Sequence, residues 1–141
     1  MMKRNLSRGF TLHELLFAVV FISAISGIVL ASLSQFRKTK LLDSTVSATI
    51  SSFEIARSRT LAGTDLLVHG VHLEADRAVV FRGATYTAAT TTNEVFLLDG
   101  SMEIAAISLA GGGANVVFDR LTGKTSHSGS FVVRPKSDLA S

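Results

Sequence analysis

Phe10-Thr11-Leu12-His13-Glu14-Leu15-Leu16-Phe17-Ala18-Val19-Val20-Phe21-Ile22-Ser23-Ala24-Ile25-Ser26-Gly27-Ile28-Val29-Leu30-Ala31-Ser32-Leu33 is the stretch whose reading decides the fold. From Leu15 to Leu33 it runs for 19 residues without a charge. As a helix those residues cover roughly 28 Å, close to the hydrocarbon core of a bilayer. Ser23, Ser26 and Ser32 are its only polar residues, so it lacks the polar face of a helix that borders water. The stretch reads as a membrane-spanning helix. A secretory signal would have an apolar run of about 7–15 residues followed by a small-residue cleavage site. Here the run is longer and no Ala-x-Ala follows it. Lys3, Arg4 and Arg8 flank one side and Arg37, Lys38 and Lys40 the other, so the cation count alone leaves the orientation open.

Glu14 interrupts the apolar pattern. A carboxylate at the centre of a membrane helix costs roughly 2.5–3.5 kcal/mol on insertion scales. Two readings follow from the residue itself: Glu14 sits at the interface and reaches water, or it meets a cationic partner.

Outward from this helix, composition sets the limits. The chain has 141 residues, enough for one domain core. Hydrophobic residues make up 47% and charged residues 18%, a balance that excludes a disordered chain. The absence of cysteine excludes a disulfide framework, thiolate metal sites and a cysteine nucleophile. The net charge of +3 is carried by Lys3, Arg4 and Arg8, and the remainder of the chain balances. That is a poor footprint for nucleic-acid binding.

Past the membrane the period stays helical. Leu42, Val46, Ile50, Phe53, Ala56 and Arg57 share one face, with Thr49 among them, while Ser44, Ser47, Ser51, Ser52 and Glu54 fall between. Gly63 is a natural stop, with Arg57 and Arg59 beside the last carbonyls. The expected helix spans 10–62, roughly 80 Å. The rest reads as strands. Leu66–Glu74 and Ala78–Arg82 flank a turn at Ala75-Asp76-Arg77, and Glu94–Asp99 and Met102–Leu109 flank Gly100-Ser101 as a second hairpin. Val116–Asp119 and Ser130–Arg134 are two further strands. Thr85–Asn93, with five threonines, reads as a mobile loop in preference to the alternative, a polar edge strand. The expected fold is α+β: a long N-terminal helix, membrane-spanning in its first half, whose second half packs on a small antiparallel sheet.

Arg8-Gly9-Phe10-Thr11-Leu12-His13-Glu14-Leu15-Leu16 resembles the processing and assembly motif of type IV prepilins and type II secretion pseudopilins. The resemblance implies a leader at 1–9, an assembly and membrane helix at 10–34, its periplasmic half at 35–62 and a C-terminal sheet domain at 63–141. It implies cleavage by prepilin peptidase between Gly9 and Phe10, N-methylation of Phe10, and a cytoplasmic N-terminus with a periplasmic body. It also assigns a partner to Glu14, the fifth residue after Gly9: the amine of Phe10 on a neighbouring subunit. A neighbour's ammonium would relieve the unfavourable carboxylate only when docking is correct. Ser23, Gly27 and Ala31 recur every four residues and would let another helix approach closely. The family often has a proline in the second half of this segment; this chain has none there.

Val116-Val117-Phe118-Asp119-Arg120-Leu121-Thr122-Gly123-Lys124-Thr125, followed by Gly129-Ser130-Phe131-Val132-Val133, resembles the end of the GspH/FimT group of minor pseudopilins and minor pilins. The expected function is that of a minor structural subunit of a type II secretion pseudopilus or a type IV pilus. Its expected partners are the peptidase, other pilins or pseudopilins, the inner membrane and the assembly machinery. The alternatives are a DNA-binding minor pilin for uptake and a major fibre subunit. Arg120, Lys124, Arg134 and Lys136 are scattered, which disfavours DNA.

No catalytic residue, cofactor or metal is expected. Gly123-Lys124-Thr125 lacks the glycine of a phosphate loop five positions earlier and precedes a strand. Gly111-Gly112-Gly113 opens no helix. His69 and His72, three apart in a strand, point to opposite faces. His13-Glu14 lacks the second histidine of a zinc-protease helix. Ser126-His127-Ser128 has no acid and no nucleophile elbow. Asp119 and Asp138 are too sparse for a calcium loop.

Overall fold

The structure is a computed structural model that describes residues 10–137. Gly9 and the segment 1–9 lie outside the described residues, as does Asp138. The architecture is α+β: one helix, α1 (Leu12–Leu61), followed by β1 (His69–Leu73), β2 (Arg77–Arg82), β3 (Glu94–Leu97), β4 (Met102–Leu109), β5 (Asn115–Val117) and β6 (Gly129–Pro135). The chain divides into two units, the first ending at Thr39 and the second beginning at Lys40.

In the first unit α1 has large apolar side chains around its whole circumference. Leu15, Leu16, Phe17, Phe21, Ile22, Ile25, Ile28 and Leu30 are all exposed. The helix is long and apolar enough to cross a membrane, and none of the described residues covers that apolar window.

In the second unit the C-terminal part of α1 lies against the strands by a face that shares Thr49 and Ala56 with the expected stripe but is turned away from Ile50. The buried positions are Thr45, Thr49, Ser52, Ala56 and Thr60. Ile50, expected inside, is 51% exposed, and Ser52, expected outside, is fully buried. Small residues let the sheet approach the helix backbone. Their hydroxyls are not stranded, because each donates to a carbonyl one turn back: Thr45 to Leu41 (2.8 Å), Thr49 to Thr45 (2.9 Å), Ser52 to Thr49 (2.6 Å) and Thr60 to Ala56 (2.9 Å). Satisfied this way, a hydroxyl is tolerated inside. Phe53 flanks the stripe and stacks on Phe131 with ring centroids 5.9 Å apart. Gly63, at φ +66°, ends the helical run.

The strands form two antiparallel sheets where one was expected. One has the order β3-β2-β1-β5 and the other pairs β4 with β6. The β1–β2 hairpin forms in the register Val71↔Val80 and Leu73↔Ala78. The expected pairing of Glu94–Asp99 with Met102–Leu109 does not. The turn between them exists: Asp99 accepts from the Ser101 N–H at 2.9 Å, and the Met102 N–H donates to the Asp99 carbonyl at 2.9 Å. Beyond it the strands part, because β3 pairs with β2 and β4 with β6. That departure buries Met102 and Ile104 at 1% and 3% exposure. Between Ala105 and Ser108 the β4–β6 register shifts, and Ala106 takes φ +49°, a β-bulge.

The core joins Ala56 to Val71, Leu73, Ala78, Val80, Ile104, Val116 and Phe118. On the opposite face of the larger sheet Phe81 lies over Gly70, where an added Cβ would meet Phe81 Cζ at 2.6 Å and the Val116 carbonyl oxygen at 2.8 Å. Thr85–Asn93 forms no strand, as expected, but it is anchored. Tyr86 stacks on His72 at 3.9 Å, meets Phe81 edge-on at 5.6 Å and donates to Glu74 at 3.1 Å.

Candidate functional site: the N-terminal helix end

Thr11 starts the helix. Its carbonyl accepts the first helical bond, from the Leu15 N–H at 3.1 Å, and its hydroxyl accepts the Glu14 N–H at 3.3 Å. This is an N-cap satisfying one of the free donors of the first turn. The pattern Thr11-x-x-Glu14 is that of a capping box, a signal legible in the sequence but absent from the expectations above. The carboxylate of Glu14 has no hydrogen bond or ion pair among the described residues. It lies in the first turn, where the helix dipole favours a negative charge. Among the described residues the carboxylate is thus unpaired, at the head of an apolar helix surface that they leave uncovered. Phe10, just before it, is 79% exposed.

Ser23 donates to the Val19 carbonyl at 2.7 Å, so its hydroxyl is satisfied within the helix. A Cβ added at Gly27 would meet nothing within 4 Å. None of the described residues comes close enough to require a glycine there. Ala31 lies on the same helix, with its side chain outside the description.

The other polar clusters lie in the second unit. His69 and His72 do face opposite ways. His69 is buried at 4% exposure, facing α1, and its N–H donates to the Thr60 hydroxyl at 2.9 Å. Its Nδ1 has no hydrogen-bond partner among the described residues. Burial lowers the His69 pKa; the Arg59 and Arg82 charges act the same way and Asp65 opposes them. Arg59 pairs with Glu94 at 2.5 Å, and Arg82 pairs with Asp65. On the far face His72 Nδ1 lies 2.6 Å from Asn115 Oδ1. The Tyr86 hydroxyl is pushed up by burial and by its bond to Glu74. Arg77 and Asp76 hold each other charged: their hydrogen bond raises the first and lowers the second. Asp99 is lowered by the Ser101 hydroxyl and N–H.

Of the late cations, Arg134 is tied to Glu103 at 2.8 Å and Lys136 to the Gly100 carbonyl at 3.0 Å. Arg120 and Lys124 belong to the turn before β6, in which the Gly123 carbonyl accepts Arg57 Nε at 3.0 Å. These four cations are thus shared between the two ends of β6. Among the described residues no three His, Asp or Glu side chains are grouped to hold a metal. Comparisons with protein-family models, with curated proteins and with solved structures found no match for this chain.

Proposed function

We propose that this protein is a minor pilin-like subunit of a type II secretion pseudopilus or a type IV pilus. It is a structural component anchored in the inner membrane, with its N-terminus in the cytoplasm and its C-terminal unit in the periplasm. The observation that carries the reading is Glu14. Its carboxylate stands five residues after Gly9, has no partner among the described residues, and heads a helix whose apolar surface they leave uncovered. A buried charge without a partner is unfavourable in lipid, so a cation supplied by a neighbour would convert that cost into selection of one docked register. The amine freed by cleavage after Gly9 is such a cation, four residues away in the same motif. The late cations support the structural reading over DNA uptake, since Arg134 is neutralised by Glu103.

The test is the intact mass of the protein purified from its native host. The expected mass lacks residues 1–9 and carries one added methyl group on Phe10. A chain retaining Met1, or one beginning after Ala31, refutes the proposal.

A further inference from the structure

We propose that the open edge of β5 and the cleft beside it take an extended segment of a partner protein as an added β-strand. The inference rests on the C-terminal unit alone and is independent of the filament reading.

In the β1–β5 ladder the Phe118 N–H donates to the His69 carbonyl at 3.1 Å, and the Leu73 N–H donates to the Ala114 carbonyl at 2.9 Å. Antiparallel ladders alternate bonded and non-bonded pairs, and here Val116 stands opposite Val71. Ala114, Val116 and Phe118 therefore turn their main-chain groups towards β1. Asn115 and Val117 turn theirs away. β5 is the last strand of its sheet, so no described strand meets those groups. An edge of this kind is a template for another chain.

The cleft runs beside that edge and has a volume of about 470 Å³. Val116 and Phe118 at β5, Leu109 of β4, Phe131 of β6 and Phe53 of α1 give it an apolar lining, and the loop Thr125–Gly129 borders it. Strands of both sheets line it. Their main chains join where the Ile104 N–H donates to the Ala75 carbonyl at 2.9 Å. The bulge at Ala106 follows, and from there β4 runs on to Leu109 with the cleft between it and β5.

Two features specify the occupant. Unpaired main-chain donors and acceptors are met by another extended backbone, which an acyl chain does not provide. The pleat sends alternate side chains of an added strand to opposite faces, so every second residue enters the apolar cleft. Glu54 and Arg57 both line it, with opposite charges, so net charge does not select the strand. The occupant is thus an extended segment with apolar residues at alternate positions.

The test uses the isotope-labelled full chain in lipid nanodiscs. The probe is the capped peptide Lys-Thr-Val-Thr-Val-Thr-Val-Lys, with the same peptide N-methylated along its backbone as comparison. Binding of the first peptide should slow hydrogen exchange at the Asn115 and Val117 amides by about tenfold or more. The N-methylated peptide, and the Val117→Pro variant with the first peptide, should each bind at least about tenfold more weakly. Val117→Pro removes an N–H that the β1 ladder does not use, and Leu109→Glu tests the cleft lining with the edge intact. Four results overturn the proposal: no binding of the first peptide, equal binding of both peptides, shifts at cleft methyls without protection of those amides, or protection that rises with protein concentration and no peptide. The last two would assign the cleft to an acyl chain or to a second copy of this chain.

Discussion

Thr49 and Thr60 occupy the same buried face of α1, at 1% and 0% exposure, yet replacing each with valine should have different consequences. Thr49 spends its hydroxyl on the Thr45 carbonyl of its own helix, at 2.9 Å. That carbonyl remains in the backbone ladder without it, so Thr49→Val removes a polar atom from the interior and strands nothing. Its expected effect lies within about 1 kcal/mol, or is stabilising. Thr60 also donates back along the helix, but its oxygen in addition accepts the His69 N–H at 2.9 Å. Thr60→Val leaves that buried N–H without an acceptor, a cost of about 1–3 kcal/mol. Helix propensity does not confound the comparison, because valine and threonine rank together. The assay is urea unfolding of the full chain in detergent micelles. It is followed by the fluorescence of Tyr86, the single tyrosine in a chain without tryptophan, which stacks on the sheet at His72. Faster exchange of the His69 amide should accompany the loss in Thr60→Val alone. Equal destabilisation by both substitutions, or a larger loss from Thr49→Val, would refute the assignment of Thr60 as the polar link between helix and sheet.

Glu14→Ala should insert and be processed normally, since the charge opposes insertion. Loss of a buried charge pair costs about 3–5 kcal/mol, so incorporation into filaments should fall at least about tenfold; wild-type incorporation in a crosslinking assay would count against the pairing with Phe10. Gly129→Ala places a Cβ onto the Ser108 carbonyl oxygen and 2.8 Å from the Leu109 Cα, both backbone atoms. It should cost about 1–3 kcal/mol in urea unfolding, whereas Gly100→Ala, with nothing within 4 Å of its Cβ, should be near neutral; equal effects would contradict the packing at the β4–β6 end. His69 is lowered below its ordinary 6.5 in the folded chain, so below that pH the unfolded chain binds the additional proton. Its contribution to stability is complete above 6.5 and declines as pH falls through the window beneath. Unfolding titrations from about pH 8 down to about pH 5 should show that slope in wild type and a shallower one in His69→Gln, and an unchanged slope would assign the acid sensitivity elsewhere.

The sequence by itself determined the elements that depend on near neighbours. An uncharged run with only three serines has one low-energy form in lipid, and Leu12–Leu61 is indeed a single helix. Gly63 ends the helical run because the left-handed turn at φ +66° suits a residue without a Cβ. The β1–β2 hairpin follows from two apolar runs joined by a short polar turn. Thr11-x-x-Glu14 carried the cap in plain sight. The sequence placed Thr49 and Ala56 on the inner face, and only the tertiary structure turned that face from Ile50 towards Ser52. Periodicity weighs residues by hydrophobicity, and so favoured Ile50. The sheet instead needs close approach, which Thr45, Thr49, Ser52, Ala56 and Thr60 permit because their hydroxyls bond within the helix. The second hairpin failed for a related reason. A turn at Gly100-Ser101 specifies a reversal but not a partner, and β4 pairs with β6, with Met102 and Ile104 buried. Tyr86 was unreadable in the same way, since its anchor at His72 lies in another strand. Local chemistry writes helices, caps and turns into adjacent residues; the choice of partner strand and buried face is a contest between distant surfaces, and it is settled only when they meet.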